Sequence, residues 1–219
     1  MCSSDLFPSH DSGGGGGSSS GSSWEKPDSP NDIGNESIGK NVTNVTTYTV
    51  PVGKRLYITS INLSSSIPLQ IDGIEIAQGA IQDGATSDSL GCPIIVEAGS
   101  VVSSSSAGGY FGGYLVSNPT SLITPIIQTV DSIGGDYTVP SGKMFVLLSA
   151  EQNSLANMQF TPNGGSATSF GNGMTSGGSA WSLKQPMFFY EGDVINTASS
   201  TGSICGYEVN VGVQFGGII

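Results

Sequence analysis

Apolar residues occur along this chain in short runs, separated by turns rich in glycine, proline and serine. In RLYITSINL (55–63), Leu56 and Ile58 share one face of an extended strand. Ile61 and Leu63 share the opposite face. A change of phase within one strand predicts a β-bulge or a strand that leaves one sheet for another. Because no segment has the 3.6-residue period of an amphipathic helix, the pattern predicts an all-β protein.

The segment LQIDGIEIA predicts a tight hairpin, because an Asp-Gly pair fits a two-residue turn between two alternating strands. The turn, at 72–73, places Ile71 opposite Ile74 and Leu69 opposite Ile76. These four apolar side chains would then lie on one face of the hairpin.

A repeated motif indicates that one structural unit is used twice. TYTVPVGK at 47–54 returns as DYTVPSGK at 136–143, 89 positions later. PIIVEAG and PMFFYEG then begin at Pro93 and Pro186, and the Gly-Tyr pairs 113–114 and 206–207 keep the same offset of 93. Four residues are therefore inserted in the second copy, before Pro186, in a glycine-rich loop where insertions are tolerated. The sequence thus predicts a tandem duplication.

Two long apolar segments help to place the copies. KMFVLLSA (143–150) is nearly continuous in its apolar character, which predicts a strand that is buried on both faces. SLITPIIQTV (121–130) lies between the copies and is too apolar for a free linker. We expect this connector to pair as a strand or to lie between the two copies.

Together these patterns predict two tandem antiparallel β-sandwich repeats of jelly-roll-like form, preceded by a disordered tail. A unit of this size buries a marginal core, so we expect the copies to pack together or the chain to form a homo-oligomer. The predicted boundaries are 1–40 for the tail, 41–118 for the first repeat, 119–135 for the connector and 136–219 for the second repeat.

The tail has two parts. Residues 12–23, SGGGGGSSSGSS, form a flexible Gly/Ser linker. Residues 1–11 are an ordinary tail or have one of two further interpretations. The codons for Cys-Ser-Ser-Asp-Leu can spell a sequencing adapter, in which case Cys2 and His10 carry no functional meaning. Alternatively, Cys2 resembles the first residue of a mature bacterial lipoprotein, although no apolar signal segment precedes it here.

The charge balance argues against several partners. The net charge is −11, with six Lys and Arg residues. A nucleic-acid-binding protein needs clustered cations, and an anionic membrane surface attracts them as well, so we expect neither partner. No apolar run has the roughly 20 residues that a spanning helix requires.

The repeated Y-T-V-P-x-G-K motif, with the later proline segment and Gly-Tyr pair, resembles a known group of sequences. It is similar to uncharacterised β-sandwich modules of bacterial surface proteins, exported lipoproteins and phage virion proteins. The resemblance covers about residues 45–215. It implies an extracellular location or a structural role in a virion. Those modules have no assigned catalytic residues.

The residues that usually carry catalysis are scarce, so we predict that the chain is not an enzyme. His10 is the only histidine, which rules out a Ser-His-Asp or Cys-His arrangement in the body of the chain. Three scattered cysteines do not supply a zinc site. Glycoside hydrolysis needs a pair of carboxylates, but Glu97 and Glu191 stand in equivalent turns, which repetition explains more simply.

The sequence calls for no cofactor, and calcium is the ion that its loop carboxylates would take. The candidate ligands are Asp83 with Asp88, or Glu191 with Asp193. The alternative is that these are ordinary acidic residues of turns.

Aromatic residues are the candidates for a binding site. Trp181 and Tyr110 could form a platform for a glycan, with Phe111 and Tyr114 nearby in the sequence. The alternative is that these rings belong to the core.

The equivalent residues Lys54 and Lys143 are expected to cover strand ends with their stems, which leaves the ammonium groups in water. Cys92 and Cys205 do not occupy equivalent positions in the two copies. They either form a disulfide between the copies in an oxidising compartment or remain buried thiols.

Three functions remain open. The first is a non-catalytic structural or adhesive module, displayed outside the cell on a flexible tether and bound to a surface partner or to further copies of itself. The second is a module that binds a glycan or another small ligand through loop aromatics. The third is a structural component of a phage tail or fibre.

Overall fold

The structure is a computed structural model that describes residues 36–63, 68–78, 88–105, 108–117, 119, 122–131, 133, 135–152, 158–170, 179–198 and 201–211. Regular secondary structure within these ranges consists of sixteen β-strands and no helix, which confirms the all-β prediction. No helix in the described part of the chain is long and apolar enough to cross a lipid bilayer.

The described residues of the first repeat form eight strands in two antiparallel sheets. Its strands are β1 (Glu36–Val42), β2 (Tyr48–Thr49), β3 (Lys54–Leu63), β4 (Pro68–Ile71), β5 (Ile74–Gln78), β6 (Asp88–Val96), β7 (Val101–Ser104) and β8 (Gly109–Ser117). Sheet 1A has the order β1-β8-β3-β6, and sheet 1B has the order β2-β7-β4-β5. Two such four-stranded sheets, connected in this order, form a jelly roll.

The second repeat has the same topology. Its strands are β9 (Ile123–Asp131), β10 (Tyr137–Thr138), β11 (Lys143–Gln152), β12 (Met158–Thr161), β13 (Thr168–Phe170), β14 (Ser179–Tyr190), β15 (Val194–Thr197) and β16 (Thr201–Asn210). Sheet 2A has the order β9-β16-β11-β14, and sheet 2B has the order β10-β15-β12-β13. Each strand of the second repeat therefore has a counterpart in the first, which confirms the tandem jelly-roll prediction.

The register of the strands is duplicated as well as their order. In sheet 1A, Tyr57 pairs with Tyr114. Val146 lies 89 positions after Tyr57 and Tyr207 lies 93 positions after Tyr114, and these two residues pair in sheet 2A. Both β3 and β11 contain a bulge at the same place, between Ile58 and Ser60 and between Leu147 and Ser149. The phase change seen in the sequence of β3 is therefore a bulge within one strand.

The close approach of two strands at the bulge explains why the glycine of the Gly-Tyr pair occurs twice. A Cβ atom on Gly113 would collide with the backbone oxygen of Tyr57, and one on Gly206 would collide with that of Val146. Glycine is required at both positions because the neighbouring backbone occupies the space of a side chain.

The repeated Pro-x-Gly motif is a tight turn at the start of β3 and of β11. Lys54 and Lys143 donate their backbone N–H groups to the carbonyls of Pro51 and Pro140, each at a distance of 3.1 Å. The glycines of the two turns have a φ of +74°, a left-handed conformation that favours glycine. The motif therefore encodes a turn in both copies.

Each repeat has its own apolar core between its two sheets. The first core includes Leu56, Ile58, Leu69, Ile71, Ile94, Val102 and Phe111. The second includes Tyr137, Val139, Phe145, Leu147, Met158, Phe189 and Ile195.

A third apolar cluster lies between the repeats, and we call it the interface cluster. Sheet 1A contributes Tyr57, Cys92, Ile95 and Val116, and the second repeat contributes Ile123, Met144, Val146 and Leu148. Alternate residues of β11 thus enter the second core and the interface cluster. This confirms that KMFVLLSA is buried on both faces.

Three details differ from the sequence predictions. Ile71 pairs with Ile74 at the hairpin turn as predicted, but Leu69 pairs with Ala77 instead of Ile76, because β4 and β5 are out of regular register there. Strand β1 begins at Glu36, so residues 36–40 belong to the first repeat and not to a disordered tail. The predicted connector does pair as a strand, as expected, but this strand, β9, pairs with β16 and belongs to the second repeat instead of forming a separate segment.

Candidate functional site

The outer face of sheet 1A carries an exposed tyrosine in the centre of a polar row. Tyr110 on β8 pairs directly with Asn41 on β1 and with Asn62 on β3. Residues that pair directly across antiparallel strands point to the same face of the sheet. All three are exposed, and Tyr110 retains 41% of its accessible surface. The row therefore places one aromatic ring between two amide side chains.

The ring of Tyr110 lies down on the sheet instead of standing away from it. Its hydroxyl occupies the space where a Cβ atom of Gly39 would be, and its Cζ and Cε2 atoms lie 3.1 and 3.4 Å from that position. Its Cε1 atom lies 3.7 Å from the corresponding position on Gly112. Because these two glycines leave room beneath the ring, its opposite face points to solvent.

The other predicted aromatic residues do not join Tyr110 at the surface. Phe111 is fully buried in the first core, where its ring packs edge-on against Tyr48 at 5.7 Å. Its prediction as a ligand-binding residue is therefore wrong. Tyr114 stacks on Tyr57 at 5.0 Å and packs against the interface cluster. The backbone of Trp181 lies in β14, but its side chain lies outside the described part of the structure.

The predicted calcium ligands Glu191 and Asp193 have separate partners. The carboxylate of Glu191 accepts from the Ser141 hydroxyl at 2.7 Å and from the Gly142 backbone N–H at 2.8 Å. These two donors lower the pKa of Glu191, the backbone N–H most strongly. Glu191 therefore caps the Pro-x-Gly turn of the second repeat.

Asp193 fixes a different turn. Its carboxylate accepts from the backbone N–H groups of Tyr190 at 2.7 Å and Asn163 at 3.0 Å. No group of three or more His, Cys, Asp or Glu residues that could hold a metal occurs among the described residues. Asp83 and the side chain of Asp88 lie outside them.

The predicted disulfide between Cys92 and Cys205 is wrong, because Cys205 is a free cysteine. Cys205 is buried against the first core, whereas Cys92 lies in the interface cluster. Burial raises the pKa of the Cys205 thiol to about 12.

Arg55 and Glu97 form an ion pair beside the interface cluster. Arg55, which is 3% exposed, donates from Nη2 to Glu97 Oε1 at 2.6 Å and from Nε to Oε2 at 3.2 Å. Its Nη2 also donates to the backbone oxygen of Ile123 in β9, at 3.3 Å. A side chain of the first repeat thus satisfies a carbonyl at the start of the second.

A second polar contact lies inside the second core. The hydroxyl of Tyr137 donates to Glu208 Oε1 at 2.9 Å, and Lys143 Nζ lies 3.9 Å from Glu208 Oε2. Burial, followed by the hydrogen bond and charge of Glu208, raises the pKa of Tyr137. In the first repeat, Leu115 stands in the place of Glu208, and Lys54 binds the exposed Glu36 at 2.7 Å.

A polar cavity of about 240 Å³ lies between the hairpin turn of the first repeat and strands β9 and β16 of the second. It is lined by Gly73, Ile74, Glu75, Thr129, Thr201, Gly202 and Ser203. The Ser203 hydroxyl donates to the backbone oxygen of Glu75 at its wall. This hydrogen bond ties the hairpin to sheet 2A.

Comparison with known proteins does not add to this picture. No protein-family model matches the chain, and no curated protein matches it significantly.

Sequence reasoning did not find Asn41, Asn62 or Arg55. Asn41 and Asn62 flank Tyr110 because β1, β8 and β3 are neighbours in sheet 1A, which is a property of the topology. Arg55 gave a weak signal, since it is the chain's one arginine and begins an apolar strand.

Proposed function

We propose that this chain is a non-catalytic structural module that is displayed outside the cell on a flexible tether. The observation that carries the proposal is the role of the duplicated residues. Val50 and Val139 fill the two cores, and the Pro-x-Gly motifs form turns. Gly113 and Gly206 make room for a carbonyl at the bulge. Features kept in both copies therefore serve packing, whereas a reaction needs side chains that converge on a substrate.

The contact between the repeats supports a mechanical role. The interface cluster, the Arg55–Ile123 hydrogen bond and the Ser203–Glu75 hydrogen bond all join the first repeat to the second. Apolar burial combined with satisfied polar groups favours one fixed arrangement. A rigid body of two jelly rolls is suited to hold a binding surface at a distance from its anchor.

The extracellular location rests on the sequence. The Gly/Ser composition of segment 12–23 is typical of a spacer, and the net charge of −11 favours solubility. Jelly rolls occur in capsid and lectin domains, but a fold does not assign a function.

The location can be tested by labelling cells of the producing organism with an antibody against the two repeats. We expect intact cells to be labelled and protease treatment of intact cells to remove the label. Labelling that requires permeabilised cells would contradict the proposal. The purified full chain should also release no reducing ends from polysaccharides, and sustained release would contradict the non-catalytic assignment.

A further inference from the structure

We infer that the exposed part of the outer face of sheet 1A, around Tyr110, is a binding site for a neutral carbohydrate. The site, which we call the tyrosine patch, consists of Tyr110, Asn41, Asn62 and Ser60 above the glycine floor formed by Gly39 and Gly112. The inference does not depend on the location or the structural role proposed above.

The dimensions of the patch suit a sugar ring. Directly opposed residues in antiparallel strands have Cβ atoms about 5 Å apart, so the row from Asn41 through Tyr110 to Asn62 is about 10 Å wide. In the neighbouring row, Gly39 and Ser60 both pair with Gly112. A pyranose placed over the ring of Tyr110 would therefore have an amide within reach on each side.

The chemistry of the patch is also that of a sugar. A pyranose has an apolar face of C–H groups and a rim of hydroxyls that both donate and accept hydrogen bonds. The open face of Tyr110 offers an apolar surface, and its hydroxyl is a polar end. Each asparagine amide supplies both donors and an acceptor. A few polar groups around an aromatic surface fix the orientation of a small ligand.

The equivalent face of the second repeat shows what a protein-covered surface looks like in this fold. There Ser203, Cys205 and Ile127 occupy the register positions of Tyr110, Gly112 and Gly39. Cys205 and Ile127 pack against the first core, and Ser203 bonds to β5. In the first repeat, glycines occupy the positions of this apolar pair, and the exposed amides of Asn41 and Asn62 lie beside them. The tyrosine patch is thus more polar than a surface that another repeat would cover.

Charge favours a neutral ligand. The six residues of the patch carry no charged side chain, and the chain has a net charge of −11. Acidic polysaccharides would therefore be repelled at low salt, whereas a neutral one would not. We expect binding that does not change with salt concentration.

Affinity electrophoresis of the full chain tests the inference. Native gels would contain one of four neutral polysaccharides: mixed-linkage β-glucan, xylan, galactomannan or amylopectin. We expect at least one of them to retard the chain, and calorimetry with its oligosaccharides to give a dissociation constant. Tyr110→Ala should weaken binding at least about tenfold, the loss of roughly 1.4 kcal/mol. Asn41→Ala and Asn62→Ala should each weaken it by a smaller factor.

Tyr190→Ala is the matched control, because Tyr190 is a tyrosine on the second repeat with 61% of its surface exposed. This variant should bind as the unmodified chain does. Unchanged circular dichroism and melting temperature would show that each variant folds; should Tyr110→Ala not fold, the exposed Asn41→Ala and Asn62→Ala variants carry the test.

Three results would overturn the inference. They are no retardation by any of the four polysaccharides, retardation that the patch variants leave unchanged, and self-association that Tyr110→Ala abolishes without any effect of polysaccharide. The last result would make the face a contact between copies of the chain.

Discussion

The outer faces of sheets 1A and 2A have the same strand order and register, but the positions at Tyr110, Gly112 and Gly39 and their equivalents have opposite surroundings. On sheet 2A, Cys205 and Ile127 are covered by the first repeat. On sheet 1A, the equivalent Gly112 and Gly39 lie beneath the exposed ring of Tyr110. Both outer faces contribute to the interface cluster, but at these positions duplication provided contacts between the repeats in one copy and left the equivalent positions of the other free to change. Positions needed for turns and bulges stayed alike, whereas positions on this face diverged.

The largest expected effect tests the bulge that β3 and β11 have in common. Gly206→Ala should lower the free energy of unfolding by at least about 3 kcal/mol, the upper end for overpacking, because its Cβ would collide with a backbone oxygen. Gly113→Ala should cost a similar amount. Gly53→Ala is the control, since no atom lies within 4 Å of its Cβ position, and should cost about 1–2 kcal/mol for its positive φ. Urea unfolding measures all three, and unequal losses at the two bulges would contradict their equivalence.

The next prediction compares the burial of two equivalent positions on the outer faces of sheets 1A and 2A. Leu148, at the bulge of β11, is 4% exposed in the interface cluster, so Leu148→Ala should cost about 3 kcal/mol. Its counterpart Thr59 is only half-buried, and Thr59→Ala should cost less than about 1 kcal/mol. Equal losses of stability in thermal unfolding would contradict the difference in burial between Leu148 and Thr59.

The third prediction concerns the repeated tyrosine of the Y-T-V-P motif. Tyr137→Phe should cost about 2 kcal/mol, because Glu208 would lose its buried donor. Tyr48→Phe should cost less than about 0.5 kcal/mol, since Leu115 replaces the glutamate in the first repeat. Chemical denaturation of both variants measures the difference, and a larger loss at Tyr48 would contradict it.

The fourth prediction concerns stability at high pH. Cys205 of the second repeat, whose equivalent in the first repeat is Gly112, should make the folded protein less stable in alkali. The pKa of Cys205 is raised from the ordinary 9.0 to about 12, so the unfolded chain releases the thiol proton first. This group's contribution is therefore complete below pH 9 and falls as the pH rises towards 12, by about 1.4 kcal/mol at pH 10. Cys205→Ala should flatten this slope. An unchanged slope would mean that the thiol is accessible to water in the folded chain.

The smallest expected effect lies at the acid end. The pKa of Glu191 is lowered, so its contribution to stability is present above its ordinary value of 4.5 and is lost as the pH falls through the lowered value. Glu191→Gln should make the melting temperature fall less steeply with acid. The first repeat has Ala98 in the aligned position, and Ala98→Gln is the control that should leave the acid slope unchanged. A steeper slope in Glu191→Gln would contradict this assignment.

The periodic features of the sequence were sufficient to predict an all-β chain, a change of phase in β3, the hairpin turn at 72–73 and the duplication, whereas the choice between a bulge and a change of sheet was left open. Each of these is local or self-similar, because turn residues and alternation act over a few positions. The register of Leu69 was not predictable, since it depends on an irregular pairing that the alternation does not encode.

The candidate site was predicted only in part. Tyr110 was identified because an aromatic residue among glycines is conspicuous, yet its neighbour Phe111 has the opposite orientation and is buried. Alternation along β8 separates these two rings, but it does not state which face is covered. Asn41 and Asn62 became part of the site through strands that are distant in the sequence.

The sequence by itself thus determined which segments form strands and turns, because the preference for a strand or a turn depends on a short stretch of residues. Which of two sets of equivalent positions became buried, and which strands came to flank Tyr110, depended on the assembled sheets. Such contacts join residues far apart in the chain, and their free energy arises when both partners are desolvated together.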